Sequence, residues 1–296
     1  MKLLSDFDGV WTYPDEEGAA HGAALDAALI AVAGESDREA VRDWIAGARY
    51  AVRAEPTRWG WMVAGRLSAF ADEDPFAEQS ALLHYLHARR TSDPLAGRLC
   101  AAIEATGDTI PEFGGRAHMT GVKQVEARRG PGITVAAAEA GRRMLAGGID
   151  IVLASNSTTD KLVRWFAHAL VPACVHPERV AGRPRLRGSA QKFVLDADRD
   201  DALMLGDMRI DVSRSLYEAL LREEAPDAVV GDVFSIDLAL PLALKRREPS
   251  WRHVRLFWLA HPYAPARMRA AIAQLPAGEV EALEGGLPAV ADALLG

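Results

Sequence analysis

Lysine is scarce in this chain. Lys2, Lys123, Lys161, Lys192 and Lys245 are the only five, and arginine carries almost all of the positive charge. With 34 basic residues against 41 acidic ones, the formal net charge is −7. No basic patch dominates, so nucleic acid is not an expected partner. Cysteine is scarcer still: Cys100 and Cys174 make no disulfide framework and fit a reducing cytosol better than secretion. There is no uninterrupted apolar run long enough to span a bilayer, so no membrane partner is expected. Acidic residues interrupt the apolar start almost at once, so no signal peptide is expected, and the expected location is cytoplasmic. Internal repeats and low-complexity tracts are also absent, and nothing fixes the oligomeric state. What remains is 49% hydrophobic and 25% charged over 296 residues, the composition of an ordinary globular enzyme of one large domain or two modest ones.

The pattern changes twice along the chain. An apolar strand is expected over residues 2–7. From about residue 19 to residue 106, stretches such as ALDAALIAVAG, REAVRDWIAGARYAV, SALLHYLHARR and LAGRLCAAIEATG repeat apolar positions every three or four residues, which predicts helices. IPEFGGRAHMTG and ARRGPG read as loops closing that block. From Gly130 strands and helices alternate. GITVAAAEAGRRMLAGG reads as a helix closed by Gly147 and Gly148, IDIVLAS as a buried strand, and STTDKLVRWFAHAL as a capped helix. ALML is expected as another buried strand ending at Gly206-Asp207, VSRSLYEALL as a helix, DAVVGDVFSIDLAL as one more strand, and the C-terminus as a short strand and helix. Alternation of this kind implies a parallel sheet with crossover helices. The expected fold is an α/β, Rossmann-like core, residues 1–15 and 130–296, interrupted by a helical cap, residues 16–129. Ligands of open α/β sheets bind beyond the carboxyl ends of the strands, so a cap rooted after the first strand would cover the site.

Three strand ends carry polar groups directly after an apolar run. Asp6-Phe7-Asp8-Gly9 ends the first, Ser155-Asn156 ends IDIVLAS, and Gly206-Asp207, followed by Asp211, ends ALML. Residues two apart on a strand share a face. Asp6 and Asp8 therefore repel each other unless a cation or proton shares their pocket. An edge strand running into a polar turn is the plainer reading of DFDG alone.

In these motifs the chain resembles the haloacid dehalogenase (HAD) superfamily. LLSDFDGVWT matches its strand ending in DxDG, IDIVLASN its strand ending in Ser or Thr, and LMLGDMRID its GDxxxD, while the third motif is only a lysine preceding the fourth. The likeness covers the core on both sides of the insertion and not the cap. It implies phosphoryl transfer. Asp6 would be the nucleophile that becomes an aspartyl phosphate, and Asp8 the general acid and base. Magnesium, a hard cation, would be held by Asp6, the backbone carbonyl of Asp8 and Asp207, with Asp211 in support. Ser155 would donate to a phosphoryl oxygen; its plainer reading is a simple helix cap, work that Ser157 or Thr158 could do instead. Asn156 would contact phosphate or brace its loop. Lys192, near the start of a short helix capped by Ser189, would hold nucleophile and phosphate together. Lys161 is its rival, on an expected surface helix, and the interval from Lys192 to Asp207 is short for the family.

The implied activity is a magnesium-dependent phosphomonoesterase acting on a small phosphorylated metabolite. A phosphomutase or phosphotransferase would share all four motifs, and a binding protein that kept the fold is the non-catalytic alternative. The second aspartate of DFDG argues against a dehalogenase. Other features read as structural. Trp59 and Trp61 are expected to pack within the cap, His84 and His87 share a helix face with no further ligand near in sequence, and Gly114-Gly115 suggests a hinge or connecting loop.

Overall fold

The structure is a computed structural model describing residues 1–63, 65–130 and 132–296, with Arg129 described by its backbone only. The chain opens with β1 (Lys2–Ser5). It continues through α1 (Asp15–Ala33), α2 (Arg38–Ala54), the strands β2 (Gly60–Val63) and β3 (Arg66–Phe70), then α3 (Pro75–Arg89), α4 (Pro94–Ala105) and α5 (Ile110–Arg129). Next come α6 (Val135–Ala146), β4 (Asp150–Ala154), α7 (Thr159–His168), β5 (Cys174–Val175), β6 (Arg185–Arg187), β7 (Ala202–Leu205) and β8 (Met208–Asp211). The chain closes with α8 (Ser215–Glu224), β9 (Ala228–Gly231), α9 (Phe234–Asp237), α10 (Ala239–Arg247), β10 (Arg255–Leu259), α11 (Ala266–Ala273), β11 (Glu281–Leu283) and α12 (Leu287–Leu295). Contacts divide the chain into two compact units, Met1–Tyr13 with Pro131–Gly296 and the intervening Pro14–Gly130. Among the described residues no helix is long and apolar enough to cross a membrane.

The first unit is a Rossmann-like α/β core. Seven parallel strands lie in the order β11-β10-β9-β1-β4-β6-β5, flanked by helices. Both neighbours of β1 are therefore β4 and β9, and the chain runs outward from β1 in both directions. The carboxyl ends of those three strands meet where strand order reverses, which is where open parallel sheets bind ligands. The central strands β1, β4, β9 and β10 are buried on both faces. Leu3, Ile151, Leu153, Ala228, Val230 and Phe257 pack into one apolar cluster with α6, α7 and α12, while Leu4, Val152, Val229 and Leu256 on the other face are equally buried. Phe7 belongs to that cluster, edge-on to Trp165 at 5.6 Å, so the aromatic residue of DFDG turns inward while its flanking aspartates do not.

The strand expected at ALML forms, but outside this sheet. β7 pairs only with β8, antiparallel, with Leu205 opposite Met208 and Gly206-Asp207 as the two-residue turn between them. The residues alternate: Leu203, Leu205, Met208 and Ile210 are buried, whereas Met204 and Arg209 are exposed. Two alternating runs separated by Gly-Asp are a hairpin signal, and Gly206 supplies its positive φ of 60°. The strand next to β1 is β9, whose AVVG is buried throughout.

The second unit is helical with a small addition. β2 and β3 form a two-stranded antiparallel sheet within the block expected to be helical, and Gly60, Trp61 and Met62 of RWGWM lie in β2. Trp59 packs edge-on against His84 and Tyr85, with ring centroids 4.9 Å apart in both cases. IPEFGGRAHMTG, expected as a loop, is helical and opens α5, and Ala127–Arg129 of ARRGPG end the same helix; Pro131 lies outside the described residues. Thr109 and Glu112 form a capping box at its start, and Pro111 sits in its first turn. Its glycines serve close packing rather than turning. A Cβ on Gly114 would lie 2.4 Å from Leu83 Cδ1, and one on Gly121 would lie 2.6 Å from the backbone nitrogen of His21.

His21 of α1 is buried between α3 and α5, edge-on to His118 at 5.0 Å and near Phe76 at 6.5 Å. Burial, reinforced by His118 and Arg49, pushes its pKa from the ordinary 6.5 down to about 3. The folded unit thus holds His21 neutral, whereas the unfolded chain protonates it below about 6.5. Between those values the unfolded state binds more protons, so stability falls as pH falls. Urea unfolding followed by tryptophan fluorescence should show a loss of about 2 kcal/mol from this group between pH 7 and pH 5. In His21→Leu that increment should vanish from the pH slope; an unchanged slope would refute the assignment.

Candidate active site

The site is built at the carboxyl ends of β1, β4 and β9. Asp6 leaves β1 with its backbone N–H donating to Val230 O of β9 at 3.0 Å, which places the carboxylate at the sheet's centre line. Gly9 closes the DFDG turn with φ of 77°, and a Cβ there would lie 2.1 Å from the Asp232 carboxylate. Only glycine lets the β9 exit approach this turn so closely. Gly231 does the same for Asp237, whose side chain folds back to where a Cβ would sit, 2.3 Å from its own Cβ.

Lys192 joins these elements. Its ammonium donates to Asp6 Oδ1 and Asp237 Oδ1, both at 2.6 Å, and its side chain is only 2% exposed. No helix forms around it; it sits in a turn after Ser189 and Gln191, both with positive φ. That turn is held from several sides. Asn156 Oδ1 accepts the Lys192 N–H at 2.8 Å, Ala190 N–H donates to Ser155 O at 2.8 Å, and buried Arg214 donates to Lys192 O at 2.7 Å and to Ser235 O at 3.2 Å. Tyr217 OH donates to Asp237 O at 2.8 Å. Burial alone would lower the lysine's pKa, but Asp237 and Asp6 outweigh it, and the ammonium is held charged.

Asp8 lies on the other side of the turn. Its carboxylate accepts from Ser157 Oγ at 2.8 Å and from Lys161 Nζ at 3.1 Å. Lys161 was expected on a surface helix, yet it is buried, with its ammonium 4.5 Å from the centre of the Trp165 ring. Ser155 is fully buried, and its Oγ accepts the Ser157 N–H at 3.0 Å, which leaves the hydroxyl proton to donate. Thr158 caps α7 by accepting from Lys161 N–H.

Asp207 and Asp211 are not part of this assembly, which corrects the metal set expected from LMLGDMRID. Asp207 is exposed in the β7–β8 turn, and Asp211 Oδ1 accepts the Ser213 N–H at 2.9 Å. The carboxylates gathered around Asp6 are Asp232 and Asp237, each offering an oxygen within 4.8 Å of the others. They come from VVGDVFSID, read in the sequence only as a strand. Trp258 Nε1 donates to Asp232 O at 2.8 Å and Tyr263 OH to Asp232 Oδ2 at 2.7 Å. Both belong to β10 and its exit, RLFWLAHPY, a strand not expected from the sequence although its apolar run followed by a polar turn has the form of the other strand ends.

Asp6, Asp8, Asp232 and Asp237 confront two ammonium groups, those of Lys161 and Lys192, so this set carries more negative than positive charge. The strain shows on Asp6. Burial, then Asp237 and Asp8, push its pKa up to about 7 against the pull of Lys192. A small divalent cation fits this donor set. The available ligands are carboxylate oxygens, which suit a hard ion, and a cation would favour the ionised form of Asp6. Asp6 and Asp232 are the ligand candidates, since Asp237 is occupied by Lys192 Nζ and by Val233 N–H at 3.1 Å. A second group, His176, Glu223 and Glu224, lies among Arg185, Arg187 and Lys2 and makes an ion-pair network rather than a cation site. Among the described residues, His84 and His87 join no such group. Compared with known proteins, the chain matches no family model and no curated relative.

Removing the bridging cation should be costly, because two buried carboxylates would be left facing each other. Lys192→Met should destabilise the fold by about 3–5 kcal/mol. Asp207→Asn, in an exposed turn, should change it by less than about 0.5 kcal/mol. Urea unfolding of the two variants checks the contrast, and equal effects would contradict this description of the site.

Proposed function

We propose that the chain is a magnesium-dependent phosphomonoesterase that works through an aspartyl phosphate on Asp6. The observation that carries this reading is the buried Lys192 ammonium shared between Asp6 and Asp237, beside Asp8 and Asp232, at three converging strand ends. The resemblance of DFDG and IVLASN to the HAD motifs agrees with it, with VVGDVFSID taking the place first given to LMLGDMRID.

The residues divide the chemistry. Phosphoryl transfer asks for positioning and for charge stabilisation around the transferring group. Asp6 attacks phosphorus as a carboxylate, which needs no base to activate it. Lys192 fixes one of its oxygens and sets positive charge beside the incoming phosphoryl oxygens. Ser155 donates its hydroxyl proton to one of those oxygens. Asp8 protonates the leaving oxygen and then takes a proton from the water that releases phosphate. Ser157 Oγ and Lys161 Nζ, both donating to the Asp8 carboxylate, hold it in place beside the turn. Asp6 and Asp232 would hold the magnesium ion, which would supply charge neutralisation at the phosphoryl group.

The first segment of the core ends at Tyr13, five residues after Asp8, and the inserted unit runs from Pro14 to Gly130; the proposed substrates are small phosphorylated metabolites. Purified protein should release phosphate from an aryl phosphate when magnesium is present. Asp6→Asn keeps the shape and loses the charge, so turnover should fall by orders of magnitude while the thermal transition stays in place. Near-full turnover in Asp6→Asn would overturn the mechanism.

A further inference from the structure

The exit of β10 touches both turns that carry the proposed cation ligands. His261 Nε2 lies within hydrogen-bond reach of Gly9 O, and because a carbonyl only accepts, Nε2 bears the proton. Tyr263 stacks on His261, with ring centroids 5.1 Å apart and an interplanar angle of 22°, and its hydroxyl donates to Asp232 Oδ2 at 2.7 Å. The two rings form one rigid plate with a donor on each turn. The plate is itself held, since Arg269 of α11 donates to Ala260 O at 2.9 Å and also to His261 O. Trp258, two residues before Ala260, fixes the backbone of Asp232.

These contacts act on one distance. Gly9 and Asp232 are packed so closely that a Cβ on Gly9 would overlap the carboxylate, so the two turns lie directly against each other. His261 holds the first turn and Tyr263 the second. We infer that His261 and Tyr263 are positioning residues that set the separation between Asp6 and Asp232, and with it the affinity and selectivity of the site for a small divalent cation. The inference rests on the magnesium reading given above. A ligand carboxylate with one oxygen tied to a donor presents the other in a fixed direction, and outer partners of this kind commonly govern metal affinity. Magnesium demands short bonds in near-ideal octahedral geometry, whereas calcium accepts longer and more varied ones. Loosening the plate should therefore harm magnesium binding more than calcium binding.

The test is calorimetric titration of the full chain with magnesium and, separately, with calcium, alongside the thermal transition without added metal. Tyr263→Phe keeps the stack and removes only the hydroxyl; His261→Phe keeps the stack and removes the N–H. Asp232→Asn reports on the reading beneath. Each plate variant should weaken magnesium binding roughly tenfold and calcium binding clearly less, with the metal-free transition unmoved. Magnesium affinity within about twofold of the parent in both variants, where Asp232→Asn abolishes it, would overturn the positioning role and leave the site intact. Equal losses for both metals together with a lowered metal-free transition would mean that the plate only holds the loop, and would also overturn it. Unchanged magnesium binding in Asp232→Asn would remove the cation site itself, and the inference with it.

Discussion

The site depends on one buried cation. The Asp6 and Asp237 carboxylates repel each other in a poorly solvated pocket, and Lys192 offsets this by donating to each at 2.6 Å. Burying an ammonium costs several kcal/mol by itself. The loop around Lys192 offsets that cost by making the geometry rigid: Asn156, Ser155 and Arg214 fix its backbone, and two residues accept positive φ to deliver it. Backbone strain of this kind persists only where surrounding contacts over-determine it. In a chain with five lysines, two are buried here, each against an aspartate of DFDG. A compact ammonium fits such a slot where a planar guanidinium would not.

Sheet topology explains why these groups meet. β1 is flanked by β4 and β9, so the residues just past three strands, distant in sequence, converge on one point. The glycines after β1 and within β9 then remove the Cβ atoms that would hold the carboxylates apart. Phe7, between Asp6 and Asp8, anchors the turn from below by packing into the core with Trp165 and Phe166. The same turn is therefore tied to the hydrophobic core on one side and to the polar site on the other.

Much of this was legible in the residues, because the signals were local. An apolar run ending in DFDG, another ending in Ser-Asn and a rare lysine all lie where the structure gathers them, and the alternation of strands and helices gives the parallel sheet. The error at Asp207 and Asp211 has a physical cause. Both LMLGD and VVGD are apolar runs ending in Gly-Asp, but only the second is buried on both faces, as a strand central in a parallel sheet must be, while Met204 of the first is exposed. The first, read on through MRID, alternates and turns back on itself. The loop expected at IPEFGGRAHMTG failed for a related reason. Its glycines are demanded by neighbours, Leu83 and His21, that lie far away in sequence, and no local rule reveals a close helix contact. The plate of His261 and Tyr263 was illegible in the same way, since its meaning lies in two turns more than twenty-five residues distant.

The central claim is that Asp6 forms a covalent bond to phosphorus, and it can be observed directly. The protein would be mixed with magnesium and an aryl phosphate, quenched in acid within a turnover and mapped by peptide mass spectrometry. A phosphoryl group on the peptide containing Asp6, removed by hydroxylamine as an acyl phosphate should be and missing in Asp6→Asn, is the expected result. Phosphate release with no label on that peptide, or label on Ser155 instead, would contradict the account.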